Sequence, residues 1–306
     1  MRVTIVIPTL NEEKSIGDVI KGFKELGFRD ILVIDGRSKD KTREIASKEG
    51  AKVVIQSGKG KGQAVQEALK IVDSDILVLV DGDGTYDPKD VFKLIEPIKK
   101  GLADHVLGNR LEFFEKGAFT RLNLIGNKIL NFLFRVLYGE NIKDLLTGYR
   151  ALSKKLYKSL NLRHEGFEVE TEMTVQTIAK GFKIMEIPVR YKKRKGHTKL
   201  RPLSDGFRIG KAIIFLLFEY LPGKALYLIG ILLLVVGIAF GIKTVVDWFN
   251  HISHTLLATL TTLLIISGLL FILFGVIISS LLRVVGEVRE EVRELKRVIE
   301  ERYKSL

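Results

Sequence analysis

The chain has 306 residues, enough for one large domain and further segments, and its 49 Lys and Arg against 36 Asp and Glu give a formal net charge of +13. That balance suits a polyanionic partner: nucleic acid, an anionic membrane surface or phosphorylated substrates. The absence of cysteine excludes disulfides, thiolate metal sites and thiol catalysis, and the five histidines are scattered with no pair at zinc-ligand spacing.

The amino terminus enters an apolar strand directly after Arg2, so no cleavable signal peptide is expected. Residues 3–7 form a first buried strand, ending at Pro8-Thr9-Leu10-Asn11-Glu12, and a helix follows over residues 13–26. Residues 31–34 form a second strand that ends in Asp35-Gly36-Arg37-Ser38-Lys39-Asp40. Asp40 is the expected N-cap of the next helix, with Gly50 closing it. After a third strand at 53–55, the loop Ser57-Gly58-Lys59-Gly60-Lys61-Gly62 leads into a helix over 63–72. Residues 76–80 are continuously apolar and branched, as in a parallel strand buried on both faces. That strand stops abruptly at Asp81-Gly82-Asp83, and the following helix is capped by Asp87 and opened by Pro88. A fifth strand at 105–107 ends in Gly108-Asn109-Arg110. The alternation predicts an α/β fold with a doubly wound, mostly parallel sheet.

Such sheets bind ligands outside the carboxyl ends of their strands. Glu12, Asp35, Asp81 and Asp83 all follow strand ends and so converge on one edge. Asp81 and Asp83 offer hard oxygen ligands suited to Mg²⁺ or Mn²⁺ shared with substrate phosphates, and Gly82 between them lets the backbone turn closely. The first strand is not followed by Gly-x-Gly-x-x-Gly, and Lys61 is followed by Gly rather than Ser or Thr, so neither a dinucleotide fingerprint nor a P-loop is present. The glycine-rich loop either brings Lys59 or Lys61 to a phosphate or is a plain flexible loop.

The last third changes character. Residues 225–242 and 255–282 carry no charge. Each is long enough to cross about 30 Å of hydrocarbon as a helix, which predicts a two-helix transmembrane hairpin over 223–282. Lys and Arg crowd the flanks before 225 and after 282, placing both termini and the 1–205 domain in the cytoplasm. Between them, residues 206–222 mix Arg208, Lys211 and Glu219 with Ile, Leu and Phe, an interfacial amphipathic helix. Residues 122–137 are amphipathic too, and either pack on the sheet or lie in the membrane interface and guide a lipid. In the final segment, 283–306, Val288, Val292, Leu295 and Ile299 form a short coiled-coil-like stripe, which either joins subunits into a homo-oligomer or is an exposed tail.

Several of these stretches resemble the glycosyltransferase family 2 pattern. They are residues 7–12, 35–42, 60–62, Asp81-Gly82-Asp83, Gly108-Asn109-Arg110, Asp144-Leu145-Leu146-Thr147-Gly148-Tyr149-Arg150 and the 194–200 stretch. Within that family the likeness is to the dolichol-phosphate mannose synthases and their glucose and GlcNAc relatives, and it covers about residues 1 to 205. It implies a GT-A fold and inverting transfer of a hexose from a UDP- or GDP-sugar to a polyprenyl (dolichyl) phosphate. By position, Pro8, Leu10, Glu12, Ile34, Asp35 and Lys61 would serve the nucleotide sugar. Asp81, Gly82 and Asp83 would hold its diphosphate with Mg²⁺ or Mn²⁺, the two Asp residues as metal ligands. Arg110 and Arg121 would stand with Asp83 at the reacting groups, and Arg194, Lys195 and Lys199 would join both arginines around the acceptor phosphate. Gly36 replaces a second Asp common in the family, and Thr85 stands where mannose synthases typically carry Gln; the reading leans to a UDP-sugar.

Some residues keep two readings. Glu168, Glu170 and Glu172 either bind sugar hydroxyls or begin a solvated helix. His197 either reaches the metal or hydrogen-bonds within its loop. The basic run 190–201 either binds the acceptor or anchors to anionic lipid. A family 2 polysaccharide synthase is the enzymatic rival, though Gln-x-x-Arg-Trp is missing and the single tryptophan, Trp248, lies in the hairpin. A membrane-anchored scaffold is the other rival, and it leaves the acidic strand ends unexplained. Basic patches interleaved with aromatics are absent, so no nucleic acid is expected.

Overall fold

The computed structural model describes residues 1–196, 201–252 and 254–304. The expectations for His197 and Lys199, and for the side chains of Leu295 and Ile299, lie outside the described residues. The chain forms two compact units, Met1–Leu216 and Leu217–Leu306.

In the first unit, seven strands make one sheet in the order β3-β2-β1-β4-β6-β5-β7. They are β1 (Val3–Thr9), β2 (Ile31–Asp35), β3 (Lys52–Ile55), β4 (Ile76–Leu79), β5 (His105–Phe114), β6 (Arg150–Ser153) and β7 (Ile184–Tyr191). The first four run parallel, as do β5 and β7, and β6 lies antiparallel between β4 and β5. The helices are α1 (Ile16–Glu25), α2 (Thr42–Lys48), α3 (Lys61–Ile71), α4 (Val91–Lys99), α5 (Arg121–Tyr138), α6 (Lys154–Ser159), α7 (Val169–Ala179) and α8 (Pro202–Tyr220).

Strand alternation divides the core in two. Ile5, Ile7, Val33 and Val78 point to one face, against Ile16, Ile20 and Phe23 of α1 and Leu94 and Ile95 of α4. Val6, Leu32, Ile34, Leu77 and Leu79 point to the other, against Ala64, Val65 and Ala68 of α3 and Val169 and Met173 of α7. Both faces are covered, so the central strands are apolar throughout, and the expected doubly wound, mostly parallel sheet is present.

The differences from the sequence expectation have local causes. Strands β6 and β7 are additions. The first is only four residues long, and its Arg150 disguises it; the second carries Pro188 at the sheet edge, where a missing N–H costs no ladder bond. Lys61 and Gly62, expected in the loop, form the start of α3. The N-cap of α2 is Lys41, but Asp40 still accepts from Thr42 N at 3.0 Å. Asp87 does cap the 3₁₀ turn Pro88–Asp90 that leads into α4, accepting from Lys89 N at 3.0 Å. Helix α5 packs Leu130, Phe134 and Tyr138 inward, and the Tyr138 hydroxyl donates to Ile213 O of α8 at 2.8 Å.

Beneath β6 lies a polar cluster. Arg150 is fully buried and donates to Thr147 O (2.8 Å), Thr174 Oγ1 (2.8 Å) and Leu145 O. Burial draws its pKa down to about 10. His105 is also fully buried, between Thr177 Oγ1 (2.9 Å) and Arg150 Nη1 (3.4 Å). Burial, and then the adjacent Arg150 charge, push its pKa well below 6.5.

The second unit contains α9 (Pro222–Phe249) and α10 (Thr255–Lys304). Pro222–Phe249 and Thr255–Val288, 28 and 34 residues long, each contain an 18-residue stretch with a mean hydropathy of 2.7 and are long and apolar enough to cross a membrane. Helix α10 runs without a break through residues 282–283. The two helices approach through glycines seven residues apart: Gly223, Gly230 and Gly237 on α9, and Gly268 and Gly275 on α10. A Cβ at Gly230 would lie 2.7 Å from Gly268 O, and one at Gly275 would lie 2.8 Å from Gly223 O. Small residues permit this backbone approach, which is how helices associate in lipid.

Two outcomes follow from this packing. His105 stays neutral when folded, whereas the unfolded chain takes up its proton below about pH 6.5. Stability is therefore insensitive to this group above that pH and falls as the pH drops below it. Thermal midpoints of the full-length protein in detergent should decline between pH 7 and 5, and the decline should shrink in His105→Gln. Gly230→Leu should weaken the hairpin by about 1–3 kcal/mol through overpacking, read as a lower midpoint for denaturant unfolding of α9 and α10.

Candidate active site

The site is built at the carboxyl ends of β1, β2 and β4. Thr9 pairs with Asp35 and Val6 with Leu79, so the turns after the three strands emerge together. Asn11 and Arg37 adopt left-handed φ values of 49° and 64°. The turns are stitched by side chains: Asn11 N donates to Ser38 Oγ (2.8 Å), Glu12 N to Thr42 Oγ1 (2.8 Å) and Lys39 N to Asn11 Oδ1 (2.8 Å). Fixing these loops through their backbone N–H groups frees the Glu12 carboxylate to face elsewhere.

Four acidic groups meet two cations here. Lys61 Nζ lies 2.5 Å from Asp81 Oδ1 and 2.7 Å from Glu170 Oε1. Arg194 Nη1 lies 2.8 Å from Asp83 Oδ2, and its Nη2 contacts Glu12 Oε1. Burial alone would raise the Asp81 pKa, but Lys61 outweighs it and holds the carboxyl below its usual range. The Lys61 ammonium is correspondingly held well above its ordinary value, the two carboxylates overcoming its own burial. Asp83 Oδ1 is oriented by Thr85, whose N–H and hydroxyl donate at 3.1 and 2.6 Å. Thr85 thus has a structural task at the position singled out in the sequence.

Glycines make room for this cluster. A Cβ at Gly148 would run into the Asp81 carboxylate, and one at Gly62 into His164 O. The loop at 163–166 is clamped on the start of α3 by Gly62 N donating to Glu165 O (2.8 Å) and Gln66 Nε2 to His164 O (3.0 Å). Gly82 is buried, and its carbonyl accepts from the Ser15 hydroxyl at 2.9 Å.

Arg110 occupies the adjoining position on β5. Its Nε and Nη2 donate to Asp144 at 2.8 and 2.7 Å, a bidentate pair, and its own N–H donates to the same carboxylate at 2.9 Å. The guanidinium also lies 5.4 Å from the Tyr191 ring and 5.6 Å from that of Phe119. Asp144 N donates in turn to Glu186 at 2.7 Å.

The structure thus brings together Glu12, Lys61, Asp81, Asp83 and Arg194. Pro8 and Ile34 are buried and paired in register below the turns, Ile34 with its side chain in the core, and Leu10 is exposed beside them. Asp35 is fully buried; Oδ2 accepts from Ser38 N at 2.8 Å, and Oδ1 has no hydrogen-bond partner among the described residues. Two expected members stand apart from the cluster. Lys195 pairs with Asp18 at 2.9 Å, both largely exposed, and Arg121 is an exposed residue at the first turn of α5. Glu170 and Glu172 are 3% and 1% exposed, so a solvated helix start is excluded. Glu172 instead accepts from Arg163 N and His164 N, both at 3.0 Å. The contacts of Asp144 and Gly148 were not assigned from sequence, although both lie in one of the motifs, and Glu170 pairs with Lys61 at 2.7 Å.

Asp81 and Asp83 fit a divalent cation by donor chemistry. Both are oxygen donors facing cationic partners. Among the described residues no three His, Asp or Glu groups form a cage, and two carboxylates completed by substrate phosphates are what Mg²⁺ commonly uses.

Comparison with known proteins gives the family and the fold. The profile of Glycosyl transferase family 2 matches residues 4–160. Glycosyltransferase AglJ of Haloferax volcanii is 37% identical over 304 residues, 96% of this chain and 98% of that protein. A dolichyl-phosphate hexose transferase of the same organism is 35% identical over 71% of this chain and 94% of its own length. The crystal structure of glucosyl-3-phosphoglycerate synthase from Mycobacterium tuberculosis with Mn²⁺ and UDP-glucose superposes with a TM-score of 0.57 at 26% identity, covering 72% of this chain and 78% of that one. The fold is GT-A-like, as expected from the motifs, and the chain belongs to glycosyl transferase family 2.

Proposed function

We propose that this glycosyltransferase moves a hexose from a nucleotide sugar, a UDP-sugar in preference to a GDP-sugar, to a polyprenyl (dolichyl) phosphate. The products are a lipid-phosphate monosaccharide and the nucleoside diphosphate. The observation that carries the reading is the paired cluster of Asp81 and Asp83 with Lys61 and Arg194: carboxylates for a cation, and cations for phosphates, at one strand edge. Two helices of bilayer length supply the setting for a lipid acceptor. Relatives named for dolichyl phosphate, including a UDP-N-acetylglucosamine-dependent enzyme of Methanococcus voltae at 28% identity over 61% of this chain and 84% of its own, support that choice. Neighbouring structures holding UDP and Mn²⁺ support the donor.

In this reading the Asp35 turn and Glu12 receive the nucleoside, and Pro8, Leu10 and Ile34 shape the floor. Asp81 and Asp83 would hold Mg²⁺ or Mn²⁺, which neutralises charge developing on the leaving diphosphate. An acceptor phosphate oxygen bonds to the anomeric carbon as the bond to the diphosphate oxygen breaks, inverting that carbon. The acceptor oxygen is already anionic, so the chain has to position it and screen its charge, not deprotonate it. Arg110, locked by Asp144, offers a fixed guanidinium for this. With a cation held by Asp81 and Asp83, Arg194 would be available to screen phosphate, with Arg121, Lys195 and Lys199 from the surrounding segments. The 1–205 domain and both termini are cytoplasmic, residues 206–222 lie in the interface, and the C-terminal helix is available for pairing subunits.

The reading is tested with purified protein in detergent, Mn²⁺ and a short polyprenyl phosphate, offering UDP-glucose, UDP-GlcNAc and GDP-mannose separately. Sugar should enter the lipid phase from one UDP-sugar; metal-dependent nucleotide binding without lipid product would reject the acceptor. Asp83→Ala should lower transfer by more than about 100-fold with an unchanged thermal midpoint, and normal turnover would remove Asp83 from the site. Because Arg194 neutralises Asp83, Arg194→Gln should tighten Mn²⁺ binding to the nucleotide-free protein by about tenfold, equivalent to about 1.4 kcal/mol. Titration calorimetry reads this without any turnover.

A further inference from the structure

Helix α5 is amphipathic on the side that faces out. Leu122, Ile125, Ile129, Phe132 and Val136, at three- and four-residue spacing, are each between 47% and 63% exposed. The opposite face, with Leu130, Phe134 and Tyr138, is buried. Along the edge of the exposed apolar stripe run Arg121, Lys128 and Arg135, seven residues apart. At 3.6 residues per turn they form a line, with about 10 Å between successive members.

Beside that line is a cleft of about 480 Å³ walled by Asn109, Leu111, Glu112, Asn131 and the cations Lys128, Arg135 and Lys143. Its two amides are already committed: Asn109 Oδ1 accepts from Leu111 N at 2.9 Å, and Asn131 accepts from Leu145 N at 3.1 Å and donates to Lys143 O. The nearby Glu186 carboxylate is taken by the N–H groups of Lys143 and Asp144. The three cations have no ion-pair partner among the described residues, and Glu112 is the one acid in the wall.

We infer that α5 seats in the headgroup layer of a bilayer and that Lys128, Arg135 and Lys143 form a site for the phosphate of an anionic membrane lipid. An apolar stripe of this size marks a protein or membrane contact. The basic line along its edge selects the membrane, because Lys and Arg stems lie along acyl chains while their charged ends reach the phosphates. A chain that also carries two helices of bilayer length has lipid within reach at all times. The inference stands on α5 itself and holds whichever sugar and acceptor the active site takes.

The chain has no cysteine, so Ile129→Cys gives a unique labelling point in the full-length protein. A bimane label there is followed in nanodiscs containing a shallow spin-labelled lipid, either zwitterionic or with about one third acidic lipid; each Lys or Arg near such a surface gains about 1 kcal/mol. Quenching should be several-fold stronger in the acidic discs, and that difference should vanish in the combined Lys128→Gln, Arg135→Gln and Lys143→Gln protein. A label introduced by Leu263→Cys on α10 is the reference for lipid contact. Absence of quenching at position 129 while position 263 is quenched would overturn the seating and assign the stripe to a protein partner or second copy. Equal quenching in both discs would overturn the headgroup site. Binding of inorganic phosphate in detergent, lost in the triple variant but without any lipid dependence, would assign the cleft to a soluble anion and also overturn it.

Discussion

The strand-edge cluster depends on the pairing of charge between Asp81, Asp83 and Glu12 on one side and Lys61 and Arg194 on the other. Each of these acids is at least mostly buried, and a carboxylate in that position must have a cation or hydrogen-bond donors opposite it. Removing one partner from such a pair commonly costs about 3–5 kcal/mol, so neither cation leaves unless another takes its place. An incoming divalent ion meets that condition. In the proposed reading, a cation held by Asp81 and Asp83 would leave the Arg194 guanidinium available to a phosphate.

Around this cluster the scaffold is fixed. Arg110 is held in one orientation by the Asp144 carboxylate, and the loop carrying Asp144 is tied down by Glu186 from one side and by buried Arg150 from the other. Gly148 places that loop directly against Asp81. The arrangement separates two kinds of arginine. Arg110 is paired through two nitrogens and stacked near aromatic rings, suited to unchanging geometry. Arg194 is partly exposed and bound to ligand-facing carboxylates, suited to exchange.

The second unit follows different physics. In lipid there is no hydrophobic gain in bringing two helices together, so close backbone contact has to supply the association. The heptad-spaced glycines of α9 and α10 do this. Their spacing is readable in the sequence, but glycine in an apolar run carries no face until a partner helix shows which residues it meets. The same holds for α5: its two stripes are both apolar in sequence, and packing against the body decides which one remains exposed.

The sequence by itself determined the alternation of strands and helices, the two bilayer-length segments and the gathering of Glu12, Asp35, Asp81 and Asp83 at one edge. These follow from local periodicity and from the rule that parallel strands deliver their carboxyl ends to the same side. Sequence motifs also led to Lys61, Arg110 and Arg194. Only the tertiary structure paired Lys61 with Asp81 and Glu170, buried the glutamates of α7, inserted β6 antiparallel beside β4 and left Lys195 and Arg121 apart from the cluster. Those outcomes depend on contacts between residues tens to more than a hundred positions apart, such as Asp83 with Arg194. Local propensity carries no information about such distances, because the energy of a buried charge is set by whichever group the fold places opposite it.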